Sequence, residues 1–303
     1  MVTAVPRTYL NTSSPAVPAI RNLYTFTDGS FLENVAVRGN GDLVITSLSH
    51  PRIITVDPRA ANPTPRTLSV ISSPTVNVTT GIVEFAPDQF AVLGSLFSLK
   101  TFIASNFADI PEAILCNGLV TLPHAAGQVL VADSGKGALW RVDINTGAVA
   151  LVVEDPILAS NLTNLPLGIN GIHIHNDELY FTNTGRGYLG RVPIAYDGVF
   201  TGNITTLATI PTGIASGASF DDFAMDSKGR FWISTHSDIV DLVLPDDSQQ
   251  ILRGFNVSAT PGTGPTAAVF GRGCESEEET LYVVSGEGAI FAVNTTAILE
   301  SSK

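Results

Sequence analysis

His50, Lys136, Arg186, His236 and Glu287 carry the side chains best suited to acid–base work or anion binding, and each lies just after a short apolar run. Imidazoles and carboxylates move protons near neutral pH, and cations stabilise charge that develops on oxygen. A second set, Glu33, Thr80, Asn117, Asn170, Asp221 and Thr266, stands before the same runs, each at the edge of an apolar segment. Glu33, Asn170 and Asp221 offer oxygen donors, the ligand type of a hard cation such as calcium. Asp222 adds a carboxylate beside Asp221, and Phe97, Tyr188, Phe220 and Phe223 add aromatic surface. His173 and His175 alternate on one strand and share a face. The candidates for catalysis are His236, Arg186, Lys136 and Asp222. Substrate contact is expected from Glu33, Thr80, Asn117, Asn170, Asp221, Thr266, Phe97, Tyr188, Phe223 and Glu287. Polar residues at strand ends also cap backbone groups, and that plainer reading stands beside the functional one.

The element that positions these residues is a repeat. Leu43-Val44-Ile45-Thr46-Ser47 returns as Leu130-Val131-Ala132-Asp133-Ser134, Leu179-Tyr180-Phe181-Thr182-Asn183, Phe231-Trp232-Ile233-Ser234-Thr235 and Leu281-Tyr282-Val283-Val284-Ser285, with a weaker copy at Phe90–Gly94. The copies lie roughly 40–52 residues apart, the period of a four-stranded propeller blade. The expected fold is all-β: a six-bladed β-propeller of four-stranded antiparallel blades. The last copy lacks a fourth strand, so Asn22–Phe26 is expected to close the ring and remove an open sheet edge. Residues 1–20 are then an N-terminal extension and 21–303 one propeller domain. Antiparallel geometry puts the six strand-edge residues in one ring, with the loops carrying His50, Lys136, Arg186, His236 and Glu287 above it. The segment Asp155–Leu167 is a candidate lid.

Composition narrows the class. The 303 residues carry a formal charge of −12 and no basic run, which argues against nucleic acid as a partner. No apolar run is long enough for a membrane span. Cys116 and Cys274 could bridge in an oxidising compartment or stand as separate thiols. Sequons at Asn11, Asn77, Asn161, Asn203, Asn256 and Asn294 point to a glycosylated, secreted protein. Met1–Pro6 lacks the apolar core of a signal peptide, so a leader is expected to have been removed and replaced at Met1. No Cys-X-X-Cys, phosphate-binding glycine loop or Gly-X-Ser-X-Gly elbow is present.

Ile169-Asn170-Gly171-Ile172 resembles the Asn-Gly-Leu element of the gluconolactonase and senescence-marker-protein propellers. Asp221–Asp226 followed by Gly229–Ile233 resembles their Asp-Gly-Met element and its continuation, and Glu33 matches their Glu-Gly-Pro glutamate. That resemblance implies a divalent metal on Glu33, Asn170 and Asp221, with Asn117 near the substrate. The chain departs from the pattern at Asn34 and Asp222, where the family has glycine. The Arg21–Phe26 opening, the sequons and the Pro/Ser/Thr-rich start bring a nearer resemblance to secreted fungal propellers, among them the hetero-Diels-Alderases of tropolone-sesquiterpene biosynthesis. This implies a pericyclase of secondary metabolism that needs no cofactor and joins a tropolone quinone methide to a humulene-type alkene. The alternatives are a calcium-dependent lactonase and a non-catalytic secreted binding propeller. Small organic molecules are the expected partners in the first two cases.

Overall fold

A computed structural model describes residues 7–10, 20–71, 76–95, 99–103, 105–210, 218–236, 239–245, 248–253 and 264–300, and its strands sort into six sheets. Every recurring run forms the second strand of a sheet. Leu43–Ser47 and Phe231–Thr235 are buried along their whole length. They read as continuous apolar runs because neighbouring blades cover both faces. The inner strands are Leu32–Val37, Val78–Ala86, Cys116–Thr121, Ile169–His175, Phe220–Met225 and Pro265–Phe270. Each contacts the next, and the last contacts the first, so the chain is an all-β propeller around one channel.

The two ends of the chain meet. Ile20–Thr25 pairs antiparallel with Ala289–Asn294 and completes the sheet that the C-terminal repeat leaves short. Arg7–Leu10, assigned by the sequence to an extension, adds a parallel strand outside Gln249–Arg253. Tight hairpins join first and second strands and use left-handed residues, among them Gly41 with φ 89° and Gly229 with φ 74°.

The core is a set of thin layers, one between each pair of neighbouring blades. Leu32 and Ile45 pack with Tyr282 and Ile290, closing the ring, and Leu130 and Leu139 pack with Leu179 and Phe181. Trp232 is fully buried, and its indole N–H donates to Asp226 Oδ2 at 3.0 Å. Burial of one such side chain contributes roughly 1.5–3 kcal/mol. Hydroxyls tie the inner strands together. Thr80 donates to the Cys116 carbonyl at 3.1 Å and Thr266 to that of Leu32 at 2.9 Å, while Ser134 and Thr182 donate to Ile169 and Asp221.

One irregularity recurs in all six sheets. The register between inner and second strand slips between Leu32 and Val35, Thr79 and Ile82, Cys116 and Leu119, Ile169 and Ile172, Phe220 and Phe223, and Pro265 and Ala267. Glu33, Thr80, Asn117, Asn170, Asp221 and Thr266 lie inside these slips. The strands begin before these residues, not on them, and the bulges re-aim the side chains.

Candidate active site

The centre of the mouth is a chain of hydrogen bonds that joins two inner strands to the residues just after their second strands. Asn170 Nδ2 donates to Asp221 Oδ1 at 2.7 Å and to Thr184 Oγ1 at 2.8 Å. The other Asp221 oxygen lies 2.7 Å from His236 Nε2. His236 follows the strand Phe231–Thr235, and its backbone N–H is held by the Ser219 carbonyl at 2.9 Å. Its side chain is largely buried, and its Nδ1 has no hydrogen-bond partner. Glu33 Oε2 and both carboxylate oxygens of Glu287 are also buried and unpartnered. The sequence thus identified four residues whose polar atoms converge: Glu33, Asp221, His236 and Glu287.

Charge is unevenly placed here. Burial pushes Glu33 well above the ordinary carboxylate range, and the charges of Asp221 and Asp222 push the same way, so the neutral acid is favoured. Burial also raises Asp221, against the pull of its His236 hydrogen bond. For His236, burial acts downward, but the Asp221 hydrogen bond and the charges of Asp221 and Glu287 outweigh it and raise the imidazole. Glu33 is therefore pushed toward the neutral acid and the Asp221–His236 pair toward holding its protons, beside the unpartnered oxygens of Glu287.

Other expected residues do different work. Arg186 Nε donates to the Ala159 carbonyl at 2.7 Å and its Nη2 to that of Pro156 at 2.9 Å. The Tyr188 hydroxyl donates to Ile157 at 3.1 Å, and burial pushes this phenol up to about 12. With Asn183 Nδ2 on the Leu158 carbonyl at 2.9 Å, these contacts pin the start of Asp155–Leu167 as a fixed wall instead of a lid. Lys136 lies 3.4 Å from Glu154 and over the Trp140 ring. These two cations were expected over the pocket; paired carbonyl and carboxylate oxygens hold them at its edge.

The aromatic rim is also corrected. Phe220 and Phe223 are fully buried, and Tyr188 packs edge-on to Phe181, because each apolar ring is better covered between blades than in the mouth. Among the described residues, the large apolar groups exposed on mouth-side loops are Leu48, Ile114 and Ile157, all aliphatic. Phe97 lies outside the described residues. Thr80 and Thr266 are inter-strand ties, and Asn117 sits half-buried on the ring. His50 bonds Ser49 Oγ through Nδ1 at 3.0 Å. Arg52, which the sequence did not single out, lies on the same face and bonds Asp28 at 2.9 Å with its Nε buried and unpartnered. Its place at the start of a third strand was the available signal. Cys116 is buried and Cys274 exposed, both as free thiols. Asn77, Asn161, Asn203 and Asn294 are exposed; Asn11 and Asn256 lie outside the described residues.

The metal implied by Glu33, Asn170 and Asp221 does not fit these placements. Both Asp221 oxygens already accept hydrogen bonds, and Asn170 turns an N–H toward the carboxylate. Among the described residues no three His, Cys, Asp or Glu side chains are grouped to hold an ion. No helix of the described residues is long and apolar enough to cross a membrane.

Fold and ring define an all-β propeller. Regucalcin from Agrobacterium tumefaciens, a calcium-binding protein, is similar in structure with a TM-score of 0.59 at 16% identity, over 87% of this chain and 89% of that one. A luciferin-regenerating enzyme gives 0.61 at 14% identity over 91% and 94%. Virginiamycin B lyase from Staphylococcus aureus gives 0.58 at 12% identity over 91% and 98%. No protein-family model matches the chain. The proposed hetero-Diels-Alderase asR5 of Sarocladium schorii is 30% identical over 90% of this chain and 79% of its own. A proposed hetero-Diels-Alderase from a Phoma species is 26% identical over 87% and 85%. The chain belongs to this family of fungal propellers.

Proposed function

We propose that this protein is a hetero-Diels-Alderase that takes a hydroxymethyl tropolone and a humulene-type alkene and needs no cofactor. The observation that carries the reading is the pair of unpartnered groups at the mouth: His236 Nδ1, behind which Asp221 holds Nε2, and the buried carboxylate of Glu287. Forming the quinone methide requires breaking the C–O bond of the hydroxymethyl arm. The leaving hydroxyl takes a proton and departs as water, while the ring hydroxyl gives up a proton. The protonated imidazole of His236 supplies the first proton and Glu287 accepts the second, so the charges balance. The neutral Glu33 carboxyl donates to a tropolone oxygen, which draws electron density from the heterodiene as it reacts. The alkene adds across the exocyclic methylene carbon and ring oxygen, forming one C–C and one C–O bond. Holding both partners in one orientation supplies much of the acceleration. Leu48, Ile114 and Ile157 give the apolar alkene an aliphatic approach.

We read the ring as six-bladed and the protein as secreted and glycosylated, a reading supported by the exposed sequon asparagines. A mass decrease on glycosidase treatment of protein from the native host is the expected result, and an unchanged mass overturns it. The activity is tested by incubating the protein with a hydroxymethyl tropolone and humulene beside a panel of simple lactones. One predominant cycloadduct stereoisomer over the buffer control is expected. Lactone hydrolysis without cycloadduct would replace this reading with the hydrolase.

A further inference from the structure

In five inner strands the slip places a second residue beside the ring residue, Asn34, Gly81, Gly118, Gly171 and Asp222; in the sixth the slip holds Thr266 alone, and Ala267 follows it in register with Val284. At the glycines there is no space for a side chain. A Cβ on Gly81 would stand 2.2 Å from the Asn117 carbonyl oxygen, one on Gly118 2.1 Å from that of Asn170, and one on Gly171 2.7 Å from the Asp222 Cα. Asn34 and Asp222 break the pattern, and they break it together. In both, Oδ1 accepts the N–H of the next residue, Val35 and Phe223, at 2.8 Å. The remaining terminal atoms meet: Asn34 Nδ2 donates to Asp222 Oδ2 at 2.9 Å. Their strands are not neighbours, because Pro265–Phe270 lies between them and contacts both. The bond is therefore a chord across the channel.

Asp222 Oδ1 also takes His173 Nε2 at 3.1 Å, and the His173 ring packs edge-on against Phe223 with centroids 4.6 Å apart. Both chord residues are buried. Glu33, Asn170 and Asp221 stand on the mouth side of them. His173, 39% exposed, and the exposed His175 lie further along their strand, toward the opposite end. A hydrogen-bonded pair with every polar atom engaged is a stiff barrier, since breaking it would leave buried groups unpaired.

We propose that the Asn34–Asp222 pair is the floor of the active site. It turns the open channel into a blind cup that water enters only from the mouth. The inference deepens the cycloaddition reading and rests on it for its chemistry. A quinone methide is consumed by water: the water oxygen bonds to the exocyclic methylene carbon and a proton goes to the ring oxygen, which regenerates the starting alcohol. A sealed floor suppresses that return and leaves the alkene as the available partner.

The test uses the full protein in 18O-water with a hydroxymethyl tropolone and humulene, reading the 18O in recovered alcohol relative to cycloadduct. Asn34→Asp sets two carboxylates face to face at nearly unchanged size. Asn34→Asp with Asp222→Asn rebuilds the bond with its polarity reversed. Asn34→Ala with Asp222→Ala opens the channel, using the side chain the protein itself carries at Ala267. The labelled-alcohol ratio is expected to rise on the order of ten-fold in the Asn34→Asp and double-alanine variants and to return toward wild type in the reversed pair. Amide exchange at Val35 and Phe223 gives a readout that needs no substrate. It is slow in wild type and the reversed pair, and faster in Asn34→Asp. A reversed pair no better than Asn34→Asp, or a double-alanine variant with the wild-type ratio, overturns the floor. If wild type makes no cycloadduct, the cycloaddition reading fails, and amide exchange decides the floor separately.

Discussion

His236 Nε2 and Asp221 Oδ2 stand 2.7 Å apart, so the carboxylate fixes the imidazole and leaves Nδ1 as its buried, unpartnered atom. The carboxylate in turn is held from the other side by Asn170. This is the arrangement that selects one nitrogen of a histidine for proton transfer. His236→Gln keeps a side chain that can bond Asp221 but moves no proton. Its dehydration rate is expected to fall on the order of 10²–10⁴-fold with the fold retained, measured by turnover beside a thermal melt. An unchanged rate would assign the acid to another residue.

The same pair makes stability depend on pH. The folded pKa of His236 is raised above its ordinary 6.5, so the folded state binds more protons than the unfolded chain. This contribution is fully present below 6.5 and is lost as pH climbs through the higher folded value. The raised Glu33 and Asp221 act with the same sign, from the ordinary carboxylate range upward. Tm is therefore expected to fall as pH rises above 6.5, and less so in His236→Gln. A Tm that rises over this window contradicts the assignment.

Gly171 sits where a Cβ would stand 2.7 Å from the Asp222 Cα, a contact that side-chain motion cannot relieve. Gly171→Ala is expected to cost about 1–3 kcal/mol in a denaturant melt and to disturb the floor together with the ring. Gly29, with nothing within 4 Å of its Cβ position, is the wrong control because its φ is 77°. Gly39, equally open and without positive φ, should tolerate alanine.

Removing residues 1–29 strips Ile20–Thr25 from Ala289–Asn294 and reopens the ring. Tm should drop sharply, whereas removing residues 1–19 keeps Ile20–Thr25 and, among the described residues, deletes only the parallel outer strand Arg7–Leu10, and should cost less. Equal melting of both truncations and the full chain would show that the ends do not carry closure.

Arg186→Ala frees the Pro156 and Ala159 carbonyls. Faster proteolysis within 155–167 is expected, with a larger effect on KM than on kcat, since the guanidinium shapes a wall and touches no reacting group. A kcat loss matching that of His236→Gln would return Arg186 to the chemistry.

The repeat made the blades, the ring and its closure legible, because strand period and turn chemistry are local properties. It correctly gathered Glu33, Asn170 and Asp221 at one edge and placed His236 and Glu287 near them. It did not show what Lys136 and Arg186 would do, since long cations take whichever oxygens the folded loops present. The burial of Phe220 and Phe223 was hidden for a related reason: an aromatic residue at a strand edge can turn inward or outward, and packing decides. Asn34 was visible only as a departure from glycine. Its partner lies 188 positions away and could be named only once the channel had a shape.

In the proposed reaction the Asp221-oriented His236 and the Glu287 carboxylate generate the quinone methide. The most direct measurement of this step is the single-turnover rate at which a hydroxymethyl tropolone loses water in the absence of alkene, with the quinone methide trapped by a thiol. Wild type should form the thiol adduct far faster than buffer, and both His236→Gln and Glu287→Gln should lose on the order of 10² or more of that rate while remaining folded. Wild-type rates in both variants, or no acceleration by wild type, would contradict the account.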